Sequence, residues 1–426
     1  MGTRSLFRIC SMPAFLVLCA GAAEAQFDQY TPPGGPQQRP ESREERLKQE
    51  IAAAHYHLGP VKISPQAGIR DVSYIHNLFG SAGEVSSDVT ATAFAGAGAY
   101  LHTGSKVTWI AHVLPQYVWW SRRADARRLN MTYGLEEVGF FNRLFLGLSA
   151  SREEAQRFVT PEVPQLFSFR TDVVQANAEL RLSGSVYAFT SILRTAEKSL
   201  VKQTVVPQGL DLSLLDRSEL VTREGLRWRP SPGWALGLGA EQSRTDFDHK
   251  AGDSSSSGTA PVFEMVIDRH YTFLQVDVAE RSLRARNGSR FTSFDGLTGS
   301  VGASYRPQRS LELWMYGGRS LVYSLSTQYP YLDDRRIGVA LRVGAGNRLS
   351  SRLFAETGTN GYVSSSPDTP RRTDDVRSYG ALTRFAATDQ VSMVFQVIRS
   401  KYESNISANS RSYTAGGLTV TFGGNF

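Results

Sequence analysis

Gly416-Gly417-Leu418-Thr419-Val420-Thr421-Phe422-Gly423-Gly424-Asn425-Phe426 closes the 426-residue chain. Leu418, Val420, Phe422 and Phe426 fall on one parity, and Gly417, Thr419, Thr421 and Gly423 on the other. Successive side chains of a strand point to opposite faces, so one face is apolar and the other small and polar. A soluble sheet can alternate in the same way, but it seldom leaves a bare aromatic terminus on an uncovered edge. The stretch reads as the wall strand of a cylinder with lipid on its outer side.

The same rhythm runs back through the chain. Val174, Ala176, Ala178, Leu180 and Leu182 alternate with Val173, Gln175, Asn177, Glu179 and Arg181. Leu297, Gly299, Val301, Ala303 and Tyr305 alternate with small or polar residues, as do Ile337, Val339, Leu341, Val343 and Ala345. Val391, Met393, Phe395 and Val397 repeat the pattern in the penultimate segment. In each case the second face is charged or small. A soluble sandwich would put its apolar face inside, whereas a hollow membrane barrel puts it outside. From Met131 to Phe140, Glu137 shares parity with Met131, Tyr133 and Leu135, so Glu137 lies beyond the lipid zone or a bulge shifts the face.

Two kinds of connection separate these segments. Tight ones include Thr103-Gly104-Ser105, Asn142-Arg143, Ser183-Gly184-Ser185, Ser231-Pro232-Gly233 and Gly346-Asn347-Arg348. Longer polar ones include Lys202 to Asp211, Lys250 to Thr259 and Ser364 to Thr373. Short and long connections alternate, as periplasmic turns and outer loops do in membrane barrels. The fold class is all-β: a closed antiparallel transmembrane β-barrel of about eighteen strands, with a short N-terminal periplasmic helix. Sixteen strands is the alternative if Pro261 to Asp268 is loop. No outer loop is long enough to be a dedicated plug, although the N-terminal helix can serve as one. Trp109, Tyr117, Trp119, Trp120, Trp228, Trp234, Tyr305 and Tyr323 lie near strand ends and suit an aromatic girdle at the lipid headgroups.

Residues 1–25 have the form of an export signal: Arg4 and Arg8, an apolar run from Ala14 to Ala20, and Ala23-Glu24-Ala25 at the cleavage positions. Cys10 and Cys19 fall inside it, so the mature chain should carry no thiol. Residues 26–60 read as a periplasmic tether, rich in Pro, Gly and Gln, with a short amphipathic helix from Ser42 to Ala54. That helix can dock in the barrel mouth, meet a periplasmic partner through residues 27–59, or act as a spacer. Residues 61–426 form the barrel.

The formal charge of +7 is mild and dispersed, which excludes nucleic acid as an expected partner. Gln175, Asn177, Glu179, Arg181, Arg223, Arg227, Asp277, Arg281, Arg342 and Glu356 fall on inner-wall parity and are expected to line the lumen. Their charges lean positive. Either they concentrate anions along the bore, or they pair across strands and stiffen the wall. Arg122, Arg123, Arg127 and Arg128, beside Trp119 and Trp120, suggest a loop that contacts the phosphates of outer-leaflet lipopolysaccharide; an ordinary solvated loop is the alternative.

No catalytic, metal or cofactor constellation emerges. His55 and His57 lack a carboxylate or Cys partner, Gly147-Leu148-Ser149-Ala150-Ser151 misses the last glycine of a nucleophile elbow, and the other histidines are scattered. The chain is therefore read as a non-enzyme.

The closing strand resembles that of bacterial outer-membrane β-barrels, whose terminal aromatic is a recognition signal for the barrel insertion machinery; the resemblance assigns that signal to Phe422 and Phe426. From Asp295 onward the chain is similar to the β-barrel porins that bacteria carry beside exopolysaccharide production and export genes. Phe294-Asp295-Gly296-Leu297, Ser304-Tyr305-Arg306-Pro307, Arg372-Thr373-Asp374-Asp375-Val376 and Tyr402-Glu403-Ser404-Asn405 carry that similarity. It implies a bacterial outer-membrane location among lipid and lipopolysaccharide, and a porin-like conduit for small polar or anionic solutes linked to surface polysaccharide export. A scaffolding barrel that anchors a periplasmic or surface partner is the alternative, with an enzyme acting on lipid or glycan third.

Overall fold

The structure is a computed structural model that describes residues 43–54, 56–76, 87–158, 162, 166–200, 211–250, 253–346, 348–388 and 391–422. The expected export signal and most of the tether lie outside these residues. One helix, α1 (Arg43–Ala53), precedes nineteen strands. The first, β1 (Tyr56–Leu58), forms a short hairpin with β2 (Val61–His76), an element the alternation did not announce.

The wall continues through β3 (Asp88–Thr103), β4 (Val107–Trp120), β5 (Arg128–Phe140) and β6 (Leu144–Phe158). Next come β7 (Leu166–Arg181), β8 (Val186–Ser199), β9 (Arg217–Trp228), β10 (Trp234–Phe247) and β11 (Ser256–Asp268). Then follow β12 (Thr272–Ala285), β13 (Phe294–Gln308), β14 (Leu311–Tyr323) and β15 (Tyr331–Ala345). The last four are β16 (Leu349–Val363), β17 (Arg372–Ala386), β18 (Val391–Ser404) and β19 (Arg411–Phe422). Each strand from β2 onward pairs antiparallel with the next, and β19 pairs back onto β2 from Thr414 opposite His76 down to Val420 opposite Ile69. The cylinder is thus closed with eighteen wall strands. Pro261 to Asp268 belongs to β11, which begins at Ser256 inside what the sequence suggested was loop. Pro261 keeps a place in the ladder opposite Ala240.

Tight turns and longer connections alternate around the ring, so one rim is trimmed and the other carries the loops. The exterior is apolar: Leu238 is 67% exposed, Ile337 61% and Leu129 57%. Leu297, Val301 and Val339 are exposed on the same side. A belt of this extent around a closed cylinder, with polar residues inside, is the arrangement lipid requires. Glu137 sits opposite Trp109 and Leu148 in unbroken registers, so no bulge occurs there and the carboxyl lies near the turn end of the outer face. Tyr117, Trp228 and Tyr305 are exposed on the outer face near strand ends, as a girdle requires. Trp120 and Tyr323 do not join them. Trp120 is fully buried, and Tyr323 packs in an internal cluster.

Candidate functional site

The inner wall from β7 to β12 carries a continuous ladder of charge. Arg223 on β9 donates to Glu241 on β10 at 2.7 Å and to Asp277 on β12 at 3.0 Å. Arg227, two rungs away, donates to Glu179 at 2.7 Å and Glu264 at 2.6 Å. Arg229 holds Glu179 with two further bonds of 2.7 Å, and Arg281 reaches Glu241 at 2.9 Å. Four guanidiniums thus meet four carboxylates, and Glu241 is only 1% exposed. Of the two sequence readings, pairing prevails on this side of the barrel. Glu241, Glu264 and Arg229 were not singled out, although inner parity alone marks the first two.

The remaining inner-wall candidates fall elsewhere. Gln175 bonds Asn177 at 3.3 Å, and Arg181 caps the β7–β8 turn through the carbonyls of Ser183 and Gly184. Glu356 accepts from the Tyr316 hydroxyl at 3.3 Å. Arg342 lies directly opposite Arg352 on β16, and Arg384 is on the inner face of β17 opposite Ser350. Among the described residues, Glu312 is the carboxylate paired with this basic run: it is 2.9 Å from Arg306 and 4.0 Å from Arg342. The Arg352 Nε is buried with no hydrogen-bond partner among the described residues. Charge is therefore balanced along β7–β12 and left in surplus on β15–β17. A tighter cluster lies nearer the loop rim, where Arg336 holds Asp334 at 2.6 Å and Arg372 holds Asp374 at 2.7 Å.

The loop end of the bore is covered, and the cover comes from the wall. β13 and β14 pair from Gln308 opposite Leu311 up to Gly299 opposite Arg319 and no further. β12–β13 pairing continues to Leu283 opposite Phe294, and β14–β15 pairing to Tyr323 opposite Tyr331. The seam between β13 and β14 therefore opens above Gly299. That residue has φ +138°, and a Cβ there would lie 2.1 Å from the Asp277 carbonyl, so only glycine fits.

Beyond the seam the β14–β15 tip leans over the lumen. Tyr323 packs edge-on against Phe247 of β10 at 4.9 Å, lies beneath the Arg217 guanidinium of β9 at 5.2 Å, and brings its hydroxyl within 3.4 Å of Ser256. Leu325 joins Phe167 and Phe169 of β7 and Leu212 and Leu215 of a 3-10 turn before β9. Along the wall β14 is five strands from β9 and seven from β7, about 24 and 34 Å at ~4.8 Å per strand. These contacts therefore cross the bore. Glu162, from the β6–β7 loop, accepts from the Ser324 hydroxyl and the Leu325 N–H, both at 2.7 Å. Burial pushes its carboxyl above the ordinary range, against the opposing pull of these bonds and of Arg372 and Arg411. Arg290 and Thr292 tie the β12–β13 loop to the carbonyls of Ser326 and Ser364, and Phe291 stacks on Tyr331 at 4.8 Å. The expectation that only α1 could plug the bore is thus incomplete: strand tips and short loops interlock to do so.

α1 occupies the opposite mouth. Its Leu47 and Ile51, one turn apart, are buried against Val138, with Tyr100, Ile110, Phe140 and Phe145 around them, all on the inner faces of β3–β6. Arg43 pairs with Glu136, and Lys62 reaches the Ile51 carbonyl at 3.5 Å. Of the three roles open to the helix, docking in the mouth is the one observed.

The arginine-rich connection behaves differently from expectation. Asp88 accepts from the Arg122 and Arg123 N–H groups at 3.0 and 3.3 Å, and Arg127 donates to the Trp120 carbonyl at 2.8 Å. Arg128 faces inward, 4.0 Å from Glu154 and bonded to the Leu200 carbonyl. Arg122 reaches the Ser87 carbonyl at 3.5 Å as well, so three of the four guanidiniums brace the connection and the neighbouring strand ends. Phe422 ends β19 opposite Val391, and Phe426 lies outside the described residues. No cluster of three or more metal-ligating side chains occurs among the described residues.

A closed, lipid-girdled antiparallel cylinder with a polar bore defines an outer-membrane porin-type β-barrel. No protein-family model and no curated protein matches the chain. Among solved structures, OccK2 (OpdF) of Pseudomonas aeruginosa aligns at 12% identity and TM-score 0.51, covering 84% of this chain and 96% of that one. A BenF-like porin from Pseudomonas fluorescens Pf-5 aligns at 8% identity and TM-score 0.51, covering 85% and 98%. The FrpB iron transporter of Neisseria meningitidis (F3-3 variant) aligns at 10% identity and TM-score 0.45; 84% of this chain covers 64% of that longer one. At these identities the likeness is one of fold. OccK2 has also been solved with glucuronate.

Proposed function

We propose that the protein is an outer-membrane channel for small polar solutes, with a preference for anions. The observation that carries this reading is the division of the inner wall. The β7–β12 side is neutralised by pairing, while Arg342, Arg352 and Arg384 stand on three adjacent strands with little carboxylate to balance them. Cations on one side of a low-dielectric bore raise the local concentration of small anions. Glucuronate, held by OccK2, belongs to the same chemical class, a small polyhydroxylated carboxylate. A link to surface polysaccharide export finds no support in the described geometry and is left aside.

The interlocked cap favours a second reading, a closed barrel that scaffolds a partner. Purified protein in a planar bilayer separates the two. A channel gives discrete conductance steps, and with a salt gradient its reversal potential lies on the anion side. Replacing Arg342, Arg352 and Arg384 together by Gln should shift that potential toward cations while the steps persist. A folded barrel that never conducts under any voltage would sink the channel and leave the scaffold.

A further inference from the structure

The outer face near the loop rim holds a second kind of charge. Most arginines at this level are held by a carboxylate. Arg152 meets Asp172 at 2.5 Å, Arg244 meets Asp246 at 2.6 Å, Arg284 meets Asp295 at 2.9 Å and Arg319 meets Asp333 at 2.8 Å. On β17 and β18 the pattern breaks. Arg377 lies directly opposite Lys401, and Arg399 lies opposite Tyr379 one rung nearer the apolar belt. All three cations are exposed and share the outward parity of Tyr379, Phe395 and Val397. Lys401 takes Glu403 at 2.5 Å, the carboxylate in electrostatic range of Arg377. Arg377 and Arg399 themselves make no hydrogen bond or ion pair among the described residues.

Like charges directly opposite one another on a sheet are destabilising unless something lies between them. What surrounds these three indicates the chemistry of that something. Thr357 of β16 flanks Arg377, Thr414 of β19 flanks Arg399, and Ser412 flanks Lys401, so the cations stand in a frame of hydroxyls. Below them Ala355, Ala381 and Gly416 make a shallow floor that runs into the lipid-facing belt, beside the rings of Tyr379 and Phe395. Charge for an anion, hydroxyls for sugar and an apolar floor for chains thus follow one another along the membrane normal.

We infer that Arg377, Arg399 and Lys401 form a binding site for the phosphorylated glycolipid of the outer leaflet, with a phosphate bridging the three cations. Guanidinium pairs with phosphate through charge-assisted bonds, and an arginine next to an ammonium suits a tetrahedral anion. Glu403 and Asp375, opposite one another one rung further out, lie beyond the phosphate level. The inference rests on the lipid-facing exterior and is independent of whether the bore conducts.

The test uses the full-length barrel purified in detergent, stripped of lipid, and titrated with bisphosphorylated lipid A and with its dephosphorylated counterpart, bound lipid being counted by native mass spectrometry. Wild type should retain one bisphosphorylated molecule and bind the dephosphorylated form at least tenfold more weakly. R377Q/R399Q/K401Q should lose that retention about tenfold or more, while R377K/R399K and the control R244Q/R284Q keep it. The unheated gel mobility of each variant reports folding. Equal binding of the two lipids, retention by the triple variant, or equal loss in the control overturns the site. Saturation by inorganic phosphate alone at the same affinity overturns the assignment to lipid.

Discussion

Asp334 and Arg336 are 0% and 1% exposed on the inner face of β15, joined at 2.6 Å, with Asn360 taking a second guanidinium N–H at 2.9 Å. Substituting Asp334 by Leu leaves a buried guanidinium held by an amide and, further off, by Glu356. Substituting Arg336 by Met leaves a buried carboxylate. Removing one partner of a buried pair costs about 3–5 kcal/mol, because the surviving charge keeps its desolvation penalty and loses its compensation. At ~1.4 kcal/mol per decade that lowers the folding equilibrium by about two to four powers of ten. The double variant D334L/R336M removes both charges and refills much of their volume with apolar atoms, so it should lie within about 1–2 kcal/mol of wild type. Urea unfolding from lipid vesicles, followed by tryptophan fluorescence and by heat-modifiable gel mobility, measures all four corners of the cycle. Single losses below about 1 kcal/mol, or a double variant no better than the worse single, would refute the claim that this pair is desolvated.

Three further outcomes are expected. Leu47→Asp/Ile51→Asp places carboxylates against Val138 and Tyr100, should expel α1 from the mouth, and should enlarge the conductance step; an unchanged step means the helix does not obstruct the bore. Glu162, its carboxyl raised by burial, stabilises the cap while protonated; that contribution is complete below the ordinary value of about 4.3 and is lost as pH rises through the raised value. Ser324 and the Leu325 N–H donate to it and the guanidiniums of Arg372 and Arg411 pull the other way from burial, so open probability should increase with pH in wild type and stay flat in Glu162→Gln. Gly299→Val forces a Cβ into the Asp277 carbonyl, and should cost folded yield more than Gly346→Val, where φ is also positive but a Cβ meets open space, measured as the fraction of heat-modifiable protein.

The strands and turns were legible because their determinants are local. Leu297, Val301, Ile337 and Val339 declare their face through a period of two, and Ser231-Pro232-Gly233 or Thr103-Gly104-Ser105 declares a reversal within three residues. Pro261 leaves the stretch to Asp268 open between strand and loop in the sequence, and in the fold it keeps a ladder place opposite Ala240 within a strand that begins at Ser256. Parity also put Arg223, Arg227, Asp277 and Glu179 on one face, without saying which carboxylate each guanidinium would take. That choice depends on stagger between neighbouring strands, which a single strand's pattern does not encode.

What the sequence alone determined is the class of object: an apolar-outside, polar-inside cylinder of sixteen or eighteen strands, with an amphipathic segment ahead of it. What only the tertiary structure decided is how that cylinder is filled. Tyr323 and Tyr331 carry the parity of the outer face, yet they pack inside because the seam above Gly299 lets their hairpin lean across the bore. The hairpin's partners Phe247 on β10, Phe167 on β7 and Glu162 in the β6–β7 loop stand four strands or more from β14 around the wall, and a contact made across an enclosed space leaves no periodic trace in the chain that builds its wall.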